Sequence, residues 1–213
     1  MNPSRLNQIR KHMEAQGLRQ ILVTSSASVY YLTGISCDPH ERMLALYLDL
    51  DGRCALFGNA VFGIFSFEGG ELFLHSDGGD PIEALAGYVK PGKLGIDKAW
   101  PSSFLIMLMA ARGGLRPVLG SGPVDMARMH KDAEEIAALR HASKVNDSVI
   151  MGAIGALHDG ASESELAALV NQLFRQNGAD GESPQLVCFG ENAADPHHSP
   201  GGRADCQVKS NTF

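Results

Sequence analysis

Apolar positions in this chain change their spacing repeatedly, and the changes mark out elements. Leu6, Ile9 and Met13 recur at helical spacing in a polar stretch from Ser4 to Gly17, which predicts a helix stopped by the glycine. Gln20-Ile-Leu-Val-Thr-Ser reads as a buried strand, and SSASVYYLTG as a short helix. MLALYLDLDGRCALFG sets two apolar runs around Asp51-Gly52, a pair that readily takes positive φ angles, and predicts a hairpin. Residues 58–70 follow no single period. ELFLHS then reads as a strand, and PIEALAGYV as a helix with Pro81 in its first turn. KLGID reads as a strand, SSFLIMLMAAR as an apolar core helix ended by Gly113-Gly114, and LRPVLG as a further strand. Strands alternating with helices in this way predict an α/β layer.

The pattern changes after Gly122-Pro123. KDAEEIAALRHASKVNDSVIMGAIGAL predicts a long helix with Asp132, Glu134 and Glu135 in its first turn, where negative charge suits the helix dipole. Ile136, Leu139, Ala142, Val149, Ile150, Ala153, Ile154 and Leu157 lie near one face, and Gly160 is the expected stop. Ser162-Glu-Ser-Glu165 has the form of a capping box. Leu166, Leu169, Val170, Leu173 and Phe174 continue it as a helical stripe that ends at Gly178. PQLVCFG reads as a strand leading to His197 and His198. A domain boundary is therefore expected near residues 123–131, dividing 1–124 from 131–213. One strand cannot satisfy its own backbone groups, and only Cys206 to Val208 offers a partner downstream, so the second domain is expected to be unfinished.

Composition narrows the class. The 213 residues are 44% apolar and 20% charged, an ordinary globular balance, with a net charge of -6. No basic stripe is available to neutralise phosphates, which argues against nucleic acid as a partner, although a small basic patch remains compatible. Cys37, Cys54, Cys188 and Cys206 form no C-x-x-C pair and fit free thiols, with Cys188 packed in its strand. The first residues lack the apolar stretch of a signal peptide, and the run Phe104 to Ala111 is too short to span a bilayer. A cytoplasmic protein with no membrane partner is expected.

The residues themselves offer one candidate site. Asp195 and His197 are two apart, so an extended segment could aim both at one metal ion, with Glu191, Asp205 or Cys206 adding ligands. The competing interpretation is a polar loop with solvated histidines, and it is preferred because catalytic zinc needs three ligands on a rigid frame. Thr24, Ser25 and Ser26 lack a nucleophile elbow. The glycine-rich pieces at 78–80 and 120–122 lack phosphate-loop spacing and read as turns. Glu41-Arg42, with His40 beside it, reads as a surface ion pair.

Five motifs in order resemble one family. VTSSASVYYLTG with ERMLALYLDLDG, and GID at 95–97, resemble the N-terminal domain of the prolidase, aminopeptidase P and creatinase group. KDAEEIAALRHAS resembles the opening helix of that family's pita-bread catalytic domain, GASESELA its G-x-[ST]-E-x-E-[LI]-A, and FGENAADPHHSPG its G-x-N-[AS]-A-x-P-H-H segment. The resemblance implies an α/β N-terminal creatinase/prolidase-type domain followed by an incomplete α+β pita-bread domain. It implies hydrolysis of Xaa-Pro bonds in dipeptides or peptides, two divalent metals (manganese as a rule) in the intact form, and a homodimer. The family's metal ligands, two Asp, one His and two Glu, lie beyond the P-H-H segment, and ADCQVKSNTF departs from the family pattern. The expectation is thus a fragment, a premature stop or a frameshift, with no metal or other cofactor in this chain and little activity. His197 carries over as a catalytic residue that hydrogen-bonds substrate or intermediate, or acts as acid and base, and His198 has a supporting role. A non-catalytic peptide-binding relative and a metal-independent creatinase-like amidinohydrolase are the alternatives.

Overall fold

The computed structural model describes residues 1–180 and 186–204. The chain forms two compact units, Met1–His130 and Lys131–Phe213.

In the first unit six strands form one sheet: β1 (Gln20–Val23), β2 (Ala45–Asp49), β3 (Cys54–Asn59), β4 (Glu71–His75), β5 (Gly92–Ile96) and β6 (Leu115–Leu119). Their order is β4-β3-β2-β1-β5-β6. β2 pairs antiparallel with both its neighbours, and every other pairing is parallel. The central strands are apolar on both faces, as a sheet covered by helices requires. Ile21, Val23, Leu46, Leu48 and Leu56 face one core with α1 (Pro3–Ala15), α2 (Ser26–Thr33) and α5 (Gly122–Met129). Leu22, Ala45, Tyr47, Ala55 and Phe57 face the other, with α3 (Glu83–Tyr88) and α4 (Ser102–Ala111). This alternation of neighbouring residues is the period of two that a strand imposes.

Three expectations change here. The turn between β2 and β3 uses a positive φ only at Gly52. The buried Asp49 organises it instead, accepting from the amides of Asp51 at 3.0 Å and Arg53 at 2.8 Å. α4 is not a core helix: only Leu108 is fully buried, while Ile106, Met107 and Met109 are exposed. A helix that the sequence pattern does not announce, α5, packs on α1 through Val124 and Ala127.

The carboxyl ends of β1 and β5 are where the chain leaves for opposite faces, α2 on one side and α4 on the other. Such a switch point opens a crevice, and the buried Asp97 ties the two departing loops together there. Its carboxylate accepts from the amides of Thr24 at 3.0 Å, Ser25 at 3.1 Å and Ala99 at 3.2 Å, and from the Ser121 hydroxyl at 3.1 Å. Burial alone would raise its pKa; these donors outweigh burial and hold it below the ordinary value.

The second unit contains α6 (Ala133–Gly155) and α7 (Glu163–Gln176). Both begin with complete capping boxes, Asp132 with Glu135 and Ser162 with Glu165. α6 buries Val149 and Ala153, with Val145 beside them, against Leu166, Val170, Leu173 and Phe174 of α7. Most of the expected apolar face does not meet this core: Ile136, Leu139, Ile150 and Ile154 are exposed. α6 carries apolar side chains over more than one stripe, and α7 covers one. The helix also ends at Gly155, five residues before Gly160. Leu186–Phe189, the described part of the expected PQLVCFG strand, is not a strand and leads into a short 3-10 turn at Gly190–Ala194. Its backbone finds no ladder among the described residues, and the suggested partner Cys206 to Val208 lies outside them. Cys188 is correspondingly half-buried rather than packed in a strand.

Candidate functional site

The histidine-bearing segment is held by one buried carboxylate. Glu163 stands at the first position of α7, just after the capping serine, and has no exposed surface. Its Oε1 accepts from the Phe189 amide at 2.7 Å and Asn192 Nδ2 at 2.9 Å. Its Oε2 accepts from the His198 Nε2–H at 2.9 Å and the Gly201 amide at 3.0 Å. The backbone of the same helix turn continues the contact: the Glu163 amide donates to the Arg203 carbonyl at 3.2 Å and the Ser164 amide to the Gly201 carbonyl at 3.0 Å. The open N–H groups of a helix start are thus satisfied by the segment that follows the histidines. Led by the Phe189 amide, the donors hold the Glu163 carboxyl at a pKa of about 2, well under its usual range.

Between the two anchors the chain turns. Asp195 Oδ1 accepts from the His197 amide at 2.9 Å, and the His198 amide donates to the Asp195 carbonyl at 3.2 Å. Asp-Pro is a turn-initiating pair, and the aspartate side chain completes the turn. Asp195 and His197 therefore do not lie in an extended segment aimed at a common ion; the carboxylate binds the histidine's own backbone. The turn sends the two rings to different environments. His198 is partly buried against Glu163, whereas His197 is exposed, and its ring makes no hydrogen bond to the described residues.

The described side chains do not fit a two-metal group. Both oxygens of Glu163 carry two donors each, and Glu191 is exposed and lies 3.7 Å from Arg203. Among the described residues no three His, Cys, Asp or Glu side chains are grouped to hold a metal ion. Asp205 and Cys206, named as further ligands, lie outside the described residues. What the arrangement does offer is an imidazole on a braced turn, open to solvent and able to exchange hydrogen bonds with a ligand.

Glu163 was not singled out from sequence, although it sits in the quoted GASESELA motif. A carboxylate in the first turn of a helix has a sufficient local explanation in the helix dipole, which conceals a long-range role. In the first unit, Arg42 does contact Glu41 at 2.7 Å, but its principal partner is Asp77, through Nε at 2.8 Å and Nη2 at 2.9 Å. Asn59 Nδ2 also donates to Asp77 at 2.8 Å, so this pair ties loops together. His40 is exposed beside it, with a left-handed φ of 48°.

Two family models cover nearly the whole sequence: the creatinase/prolidase N-terminal domain at residues 5–130 and metallopeptidase family M24 at residues 137–212. The chain belongs to the creatinase/prolidase family. Its M24 part matches the unit that carries the Glu163 clamp. An uncharacterized peptidase of Staphylococcus aureus is 28% identical, covering 99% of this chain and 60% of the relative. A dipeptidase from Pyrococcus horikoshii superposes with a TM-score of 0.79 at 26% identity, over 94% of this chain and 58% of that one. Dipeptidase PepE from Mycobacterium ulcerans gives 0.80 at 26% identity, over 95% and 57%. The creatinase/prolidase chain described here thus spans 57% to 60% of the length of these relatives. Among its described residues no helix is long and apolar enough to cross a membrane.

Proposed function

We propose that this polypeptide provides the substrate-facing imidazole of an Xaa-Pro dipeptidase or aminopeptidase, and that residues 1–213 do not hydrolyse such peptides by themselves. The observation that carries this is the Glu163 clamp, which braces the turn from both sides and leaves the His197 ring free for a ligand. In this reading His197 exchanges a hydrogen bond with the peptide near the scissile bond, and His198 locks the turn by donating to Glu163. One positioned imidazole supplies about 10²–10⁴-fold. Amide hydrolysis needs more than that, and among the described residues no group of three His, Cys, Asp or Glu side chains could hold a metal to supply it. The two divalent metals, the proline-containing substrate, the cytoplasmic location and the homodimer belong to the same proposal, as properties of a polypeptide with the relatives' full length.

Two measurements test it. Purified 213-residue protein is incubated with Ala-Pro and manganese; release of proline is expected to match the protein-free control, and turnover sinks the claim of inactivity. The His197 ring resonance is then followed while Ala-Pro is added. A saturable shift is expected at His197, and its absence sinks the substrate-facing role.

A further inference from the structure

Four cations converge on one recess of the first unit, at the amino ends of β1, β5 and β6. The recess measures about 330 Å³ and is walled by Arg19 before β1, Lys90 before β5, Lys93 on β5 and Arg116 on β6. Two carboxylates answer them. Asp51 receives Arg19 Nη2 at 2.8 Å and Lys90 Nζ at 2.7 Å, and the buried Asp49 receives Lys90 Nζ at 2.7 Å. Those contacts occupy Arg19 and Lys90. Lys93 Nζ reaches only the Gly17 carbonyl, at 3.3 Å, and Arg116 makes no ion pair or hydrogen bond among the described residues.

Lys93 and Arg116 are register partners across β5 and β6. Their side chains leave the sheet on the same face from strands about 4.8 Å apart. Like charges directly opposite each other on neighbouring strands are unfavourable. Guarding an edge against aggregation accounts for a charge on β6, the outermost strand. It does not account for Lys93, which lies on an interior strand. In a protein of net charge -6, an uncompensated cationic pair in a concave site is the local exception that points to a ligand.

We infer that this recess binds a small phosphate-bearing dianion, with the phosphoryl group between Lys93 and Arg116. A phosphoryl group offers three strong acceptor oxygens to side chains arriving from different directions, and guanidinium and ammonium groups are its usual partners. The recess admits a small molecule but not a helix or a duplex, in keeping with the acidic surface elsewhere.

The test is calorimetric titration of the full 213-residue chain with inorganic phosphate and with glycerol phosphate at constant ionic strength, with succinate as the dicarboxylate comparison. Saturable binding of the phosphates is expected, with succinate about tenfold weaker or more. The double variant Lys93→Ala/Arg116→Ala is expected to bind phosphate about tenfold more weakly or worse. Both residues are exposed, so the fold tolerates the change. Arg116→Glu adds a second readout. It creates an opposite-charge pair with Lys93, so it is expected to abolish phosphate binding while raising the melting temperature of the anion-free protein at low salt. Absence of saturable phosphate binding overturns the site, as does binding that survives these substitutions. Equal affinity for succinate overturns the phosphoryl assignment.

Discussion

Two buried carboxylates organise this protein at the scale of single residues, each accepting four hydrogen bonds, all but the Ala99 amide's bond to Asp97 from groups far away in sequence. Glu163→Gln replaces an acceptor oxygen by an NH₂ that meets donors head-on. The amides of Phe189 and Gly201 are then expected to exchange faster with solvent, measured by hydrogen exchange, while the Ser162–Glu165 cap and α7 persist. The same clamp has a pH signature. Glu163 is held at about 2, below the ordinary value of 4.5, so its contribution is complete above about 4.5 and lost as pH falls toward 2. Exchange at those two amides, corrected for the intrinsic rate, is expected to accelerate across that window and to be independent of pH above it. Asp97→Ala acts on the first unit instead. It strands the amides of Thr24, Ser25 and Ala99 and the Ser121 hydroxyl. A loss of about 3 kcal/mol is expected by urea denaturation.

Elements in the first unit are placed by backbone contact as much as by side-chain packing. The Gly120 amide donates to the Ile96 carbonyl at 2.8 Å, where β6 runs out against β5. A Cβ on Gly120 would strike the backbone of Gly95 and Ile96, which cannot rotate away. Gly120→Ala is therefore expected to cost about 3 kcal/mol in a thermal or urea melt, in the range of overpacked cores. Gly34 illustrates the other use of glycine: it closes α2 with a left-handed φ of 75°. In the second unit the helix caps carry the same weight. Removing the Ser162 hydroxyl by Ser162→Ala is expected to cost about 1 kcal/mol, read from helix content against temperature.

The molecule as a whole consists of two units whose described cores differ in size. The first has a sheet with two filled cores, and the second buries a small cluster between two helices. Ile136, Leu139, Ile150, Met151 and Ile154 of α6 remain exposed, and surfaces of that kind bind apolar probes. An environment-sensitive dye is expected to fluoresce with this protein in the absence of denaturant, and Ile150→Lys with Ile154→Lys is expected to reduce the signal. Much of this was legible beforehand. The six strands of the first unit, the long helices, the Ser162–Glu165 capping box and the family followed from apolar spacing and from motifs a few residues long, because those features are set by local backbone geometry and by the period of side chains along it. Other features were not legible. The Lys90–Asp49 contact, the Asp97 network, the Arg42–Asp77 tie, α5 on α1, the Glu163 clamp and the basic recess rest on contacts between residues distant in sequence or depend on which helix covers which stripe. Spacing along the chain says that a carboxylate or an apolar face exists. Only the assembled sheet and the paired helices bring its partner within hydrogen-bond or van der Waals reach, and so decide whether it is capped, buried or left open.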